Sequence, residues 1–256
     1  MRNPVSLEVF ANSASSAAAA QLGGAHSVLL CENLNQAGTT PSYGQIITAR
    51  KSLTIPLSVL IRPREGDFLY NDTEFNIMLA DTEICIDAGC DGIAVGVLNA
   101  DGTVDKERCE QLIARARNKG LRIVFHRAFD TCINYQDALE DLISLGFTHL
   151  VTSGGKTTAM EGAATINKLV SQAGNRINII AGSGITENNV NYLLKFTGVQ
   201  AIQTSARSTI YGRMDFQNTQ ILMGNRSHYL YAYEQTSAKE VRRLVDLLNA
   251  SASEEG

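Results

Sequence analysis

Residues 124–130 read VFHRAFD: two apolar residues run into His126 and Arg127, and Asp130 follows three positions later. An imidazole titrates near neutral pH and suits proton transfer. Arg127 and Asp130, three apart, fit either a site or the bracing of one loop. Glu8 stands inside the apolar run LEVF. A carboxylate there needs a partner charge, which the arginines on the third and fifth strands can supply. Arg62 and Arg64 flank Pro63, and a guanidinium fork suits a carboxylate or phosphate. With Ser153 of TSGG, the candidate catalytic set is Glu8, Arg62, His126, Arg127, Asp130 and Ser153. Glu8 or His126 would move a proton, and arginine would stabilise negative charge. A second set, Gly182, Ser183 and Gly184 of GSG with Ser205 and Arg207 of SAR, is the candidate anion site, through backbone N–H groups.

These residues need elements to hold them, and the chain repeats one unit: a short apolar run, a helical pattern, a glycine. Strands are expected at 5–11, 27–31, 57–61, 92–97, 121–126, 149–152, 177–181 and 201–204. They are rich in Val, Ile and Leu, as strands buried on both faces must be. Helices are expected at 15–22, 43–51, 72–88, 105–119, 135–145, 158–173, 186–196 and 237–249. Several are closed by glycine, and Asp72 is the expected cap of the third. Eight such units predict a single-domain TIM (β/α)8 barrel over residues 1–250, with a polar tail at 251–256. A doubly wound open sheet is the alternative, but no GxGxxG follows the first strand. The insert between 204 and 237 extends the last loop, covers the mouth or meets a partner.

In such a barrel, active groups sit at the carboxyl ends of the strands. Every candidate above except Glu8 falls at or just beyond such an end, while the opposite ends are mostly glycine-bounded turns. A solvated ion-pair network around the mouth is the plainer reading of the same charges.

Composition narrows the partners. The formal net charge is −4 with no block of Lys or Arg, which argues against nucleic acid and anionic membranes. No apolar run reaches the roughly 18 residues of a membrane helix. The start lacks the pattern of a signal peptide, so a cytoplasmic protein is expected. Five cysteines, an odd count without CxxC, read as reduced thiols.

The stretches LEVFANS, LCENLNQAGTTPSYG, IRPREGDFLY, DGIAVGVLNADGTVD, FHRAFD, LVTSGG, AGSGITENNV and TSARS, in this order, resemble the CutC family of copper homeostasis proteins. The resemblance implies a TIM barrel, a cytoplasmic homodimer and a role in copper homeostasis. Four departures stand out. Ala37-Gly38 replaces the family's glycine pair, Glu65 replaces a glycine in RPREGDF, the second strand reads HSVLLC where the family carries acidic and basic residues before LC, and Gln203 takes the place of a histidine. Copper(I) prefers thiolates, and Cys31, at a strand end beside Glu32, is the candidate metal ligand. The residues themselves favour a small anionic or phosphorylated metabolite handled by acid/base chemistry. An interaction scaffold with a purely structural mouth is the remaining reading.

Overall fold

The computed structural model describes residues 5–218, 220–221 and 230–254. Eight parallel strands close into a barrel: β1 (Ser6–Ala11), β2 (Ser27–Leu30), β3 (Leu57–Leu60), β4 (Gly92–Val95), β5 (Arg122–Phe125), β6 (His149–Thr152), β7 (Asn178–Gly182) and β8 (Ala201–Thr204). The seam pairs β1 with β8 and sets Glu8 beside Gln203. Between the strands run α1 (Ala14–Gly23), α2 (Tyr43–Ser52), α3 (Asp72–Asp87), α4 (Lys106–Arg117), α5 (Tyr135–Leu145), α6 (Ala163–Ala173) and α7 (Val190–Thr197). The (β/α)8 expectation holds, with strand ends one or two residues shorter than the apolar runs in several places.

Alternation along the strands divides the apolar residues into two cores. Leu7, Val9 and Ala11 of β1 pack in the layer between barrel and helices. Phe10, one position out of phase, packs inside the barrel with Leu29, Leu60, Ala94, Val124, Val151 and Ile180. Glu8 shares the phase of Phe10, so a charged residue faces the barrel interior.

Local chemistry explains where the helices start. Asn71, not Asp72, caps α3, because its side chain accepts from Glu74 N–H while the Glu74 carboxylate accepts from Asn71 N–H. Helix α6 starts five residues later than expected, since the preceding residues form a turn bound to the β7 loop through Ala159 N–H and Ser183 O. Helix α7 is likewise delayed: the Asn189 side chain accepts from Thr186 N–H and holds that stretch as a turn. The insert after β8 contains an antiparallel ribbon, β9 (Arg207–Tyr211) with β10 (Ala232–Thr236). The last helix, α8 (Ala238–Glu254), runs on into the expected polar tail, whose residues 255 and 256 lie outside the described ones. No helix among the described residues is long and apolar enough to cross a membrane.

Candidate functional site

A cavity of about 700 Å³ opens at the carboxyl ends of the strands. Its deep walls are Phe10, Leu29, Leu60, Phe68 and Val151, with Arg62 and His126 among them. Arg127, Ser183, Gly184, Gln203, Ser205 and Arg207 also line it, and Glu187, Glu234 and Glu240 add carboxylates.

Arg62 follows β3 and is 3% exposed. Its Nη1 donates to Gln36 O at 2.8 Å and Gly38 O at 2.6 Å, and its Nη2 to Gly66 O at 2.7 Å. Those carbonyls come from two mouth loops, so the guanidinium ties the loops together. No carboxylate among the described residues forms an ion pair with it. Its Nε is buried without a hydrogen-bond partner. Phe68 lies beneath the guanidinium, 5.0 Å from its Cζ, in a cation–π contact.

His126 follows β5, is 6% exposed and caps a 3-10 turn at residues 127–131. Its Nδ1 accepts from Ala128 N–H at 3.1 Å. In the neutral ring the proton therefore belongs on Nε2, which is buried and has no partner. Burial, reinforced by the Arg62 charge, pushes the imidazole pKa down to about 3, so the ring is neutral at pH 7. Phe68 packs on this ring too, at 5.3 Å between centroids. Four buried side-chain N/O atoms among the described residues lack a partner, and two of them, Arg62 Nε and His126 Nε2, belong to cavity-lining residues.

The other candidates divide by what they touch. Asp130 is a hub: it accepts from Arg127 Nε at 2.7 Å, from the Thr152 and Ser153 hydroxyls, and from the N–H groups of Ser153 and Gly155. Ser153 is fully buried and accepts from Arg127 Nη2 at 2.7 Å, and its single hydroxyl proton is shared between Asp130 and Lys156 O. Asp130 and Ser153 thus fasten the loop after β6 to the turn after β5, and neither lines the cavity. Arg127 lines it with its charge already matched by Asp130.

Glu8 lies deeper, 3% exposed. Its partner is an arginine of the fifth strand: Arg122, at the first residue of β5, forms the ion pair. Ser27 donates to the same carboxylate at 3.3 Å, and Gln203 Nε2 at 2.8 Å. Gln203 also lines the cavity, so it links the mouth to this buried pair. The residue standing where the family's histidine would be is therefore a hydrogen-bond donor to Glu8.

In the candidate anion set, Arg207 pairs with Glu234 of β10, and its Nε donates to Ser205 Oγ at 3.1 Å. The Ser183 hydroxyl donates to Thr157 O at 2.8 Å. Ser183 and Gly184 hold left-handed conformations, and Gly182 ends β7 without lining the cavity. Cys31 is fully buried in the barrel interior beside Leu29 and Leu60, and burial raises its thiol pKa.

Two residues that shape the site were missed. Phe68 is the one aromatic in REGDF, and an aromatic within a polar loop marks a packing point. Gly96 interrupts the apolar run IAVGV, and an isolated glycine in a strand pattern signals close approach. A Cβ on Gly96 would lie 2.5 Å from His126 Cε1.

A closed parallel eight-stranded barrel, its cavity at the carboxyl ends of the strands, defines a TIM-type α/β barrel. The chain belongs to the CutC family, whose profile matches residues 5–208. A CutC family protein of Chromobacterium violaceum is 42% identical over 243 residues, covering 95% of this chain and 98% of its own. A Homo sapiens relative named copper homeostasis protein cutC homolog is 41% identical, covering 93% of this chain and 87% of its own. The crystal structure of a Streptococcus agalactiae CutC superposes with a TM-score of 0.74 at 34% identity, covering 78% of this chain and 98% of that one. Thiamine phosphate pyrophosphorylase from Pyrococcus furiosus, at 16% identity and a TM-score of 0.59, covers 96% of each chain and shares the fold alone.

Proposed function

We propose that this chain serves copper homeostasis, the role its relatives are named for, and that the chemistry of its barrel mouth is recognition of a small organic anion. One observation carries the second part: Arg62 Nε and His126 Nε2 are buried donors without partners on two cavity-lining residues. A buried donor left unsatisfied costs about 1–3 kcal/mol, so a ligand oxygen that reaches both recovers that cost. The cation of Arg62, without a carboxylate partner among the described residues, sets the sign of the ligand.

Copper(I) is the second ligand, and the relatives' names are what favour it. Cys31 would supply the thiolate. Its burial and raised pKa mean that metal capture there requires the thiol to lose its proton in an apolar barrel interior.

Thermal unfolding of the reduced protein with a panel of organic anions and with Cu(I) tests both. A ligand at 100 times its Kd stabilises by about 2.7 kcal/mol. An anion-dependent rise lost in Arg62→Lys, which removes the Nε donor, is the expected result. A rise with Cu(I) alone, lost in Cys31→Ser, would replace the anion reading with metal handling.

A further inference from the structure

The donors left free at the floor of the mouth define the ligand's head group, an inference that rests on the anion reading above. Arg62 has five N–H groups. Its three backbone bonds occupy both hydrogens of Nη1 and one of Nη2. The Nε–H has no partner, and the Tyr70 hydroxyl stands against the same guanidinium. His126 adds a single neutral donor at Nε2, because Nδ1 is occupied in capping the 3-10 turn. Phe68 packs against both residues.

We propose that the mouth binds a small carboxylic acid with an aromatic or branched apolar body, its carboxylate taken up by Arg62 Nε–H and His126 Nε2–H. A carboxylate has two oxygens and one charge, which match two donors and one cation. A phosphate monoester carries −1.5 to −2 charges and three strong acceptor oxygens. Arg62 and His126 offer one uncompensated cation and two free donors, which is too little for that group. The other two arginines do not make up the difference, since Asp130 and Glu234 already pair with Arg127 and Arg207. Glu187 on the cavity wall repels a second negative charge. The body's place is set by Phe10, Leu29, Leu60 and Val151, apolar side chains that line the same cavity.

The test is calorimetric titration of the full chain at pH 7 with benzoate and with phenyl phosphate, two probes of matched body. Benzoate is expected to bind at least tenfold more tightly. In His126→Asn the side-chain oxygen still accepts from Ala128 N–H but the Nε2 donor is gone, and benzoate affinity is expected to fall at least tenfold. His126→Gln, whose amide nitrogen reaches the Nε2 position, is expected to restore part of it. Should the variants not fold, the wild-type His126 Nε2–H resonance serves instead, and saturable movement with benzoate is the expected result. Phenyl phosphate binding as tightly as benzoate, with the same dependence on His126, would overturn the carboxylate assignment and leave the anion reading standing. Binding of neither probe, or binding indifferent to His126, would overturn both.

Discussion

Gly96 and His126 are in contact: a Cβ built on Gly96 would stand 2.5 Å from His126 Cε1 and 2.7 Å from its Nδ1. The glycine after β4 is thus the seat of the imidazole after β5. Gly96→Ala must displace the ring or the backbone, at a cost of about 1–3 kcal/mol for overpacking. Urea unfolding is expected to show that loss. Benzoate affinity is expected to fall with it, because the ring that carries the free N–H has moved. An unchanged affinity in a folded Gly96→Ala protein would mean that the ring's position does not matter to the ligand.

Glu8 and Arg122 form a buried pair below the mouth. Arg122→Ala leaves the Glu8 charge inside the barrel with only Ser27 and Gln203 as donors. Breaking such a pair costs about 3–5 kcal/mol, and replacing both charges costs far less. The double variant Glu8→Gln/Arg122→Met is therefore expected to recover most of the stability lost in Arg122→Ala, as read by urea midpoints. The pair is expected to act on stability and to leave benzoate affinity within about twofold of wild type.

Acid should destabilise the protein in a defined window. His126 is held down to about 3 by burial and by Arg62, and His149 to about 4 by burial and by Arg122, with Glu8 opposing. Both values lie below the unfolded pKa of about 6.5, so the unfolded chain binds the extra protons. The stability contributed by these neutral rings is present above pH ~6.5. It is lost as pH falls toward 4 for His149 and 3 for His126, with each ring contributing a slope of at most about 1.4 kcal/mol per pH unit. Urea unfolding across pH 7 to 4 is expected to show stability falling with pH, and less steeply in His126→Gln. A flat profile over that range would show that neither ring is held neutral.

Ala37 occupies the left-handed region at φ 66°, followed by Gly38 at φ 89°. The family's glycine pair suits such a turn, and this chain places a Cβ in it. Left-handed backbone costs a non-glycine residue about 1–2 kcal/mol. Glycine recovers that, less about 0.4–1 kcal/mol for its freer unfolded chain. Ala37→Gly is expected to raise the melting temperature by a few degrees. A lower melting temperature would mean that the alanine methyl packs against the mouth more favourably than the turn strains it.

The barrel was legible because apolar runs and glycine stops recur eight times, and that period survives without any knowledge of side-chain contacts. The helix starts were not. The late beginnings of α6 and α7 depend on bonds from Ala159 to Ser183 and from Thr186 to Asn189, within turns whose sequence continues the helical pattern. At the site, proximity to strand ends picked out His126, Arg62 and Arg127, but types and spacing cannot show which donors are already occupied. Asp130 was open to a site or to the bracing of a loop, and with Ser153 it fastens two loops, while Arg62 read as one cation of several and stands out only by having no carboxylate. The partner of Glu8 was expected from an arginine of the third or fifth strand, and it is Arg122, which opens the fifth. It meets Glu8 only through barrel closure, 114 positions away in the sequence.

The central claim is that His126 presents a neutral N–H at Nε2 to the mouth. Its most direct test is a nitrogen-15 NMR measurement of the histidine rings in the free protein at pH 7, with His126 assigned by comparison with His126→Gln. The Nε2–H tautomer is expected, with no titration of that ring above about pH 5. An Nδ1–H tautomer, or an imidazolium at pH 7, would contradict it.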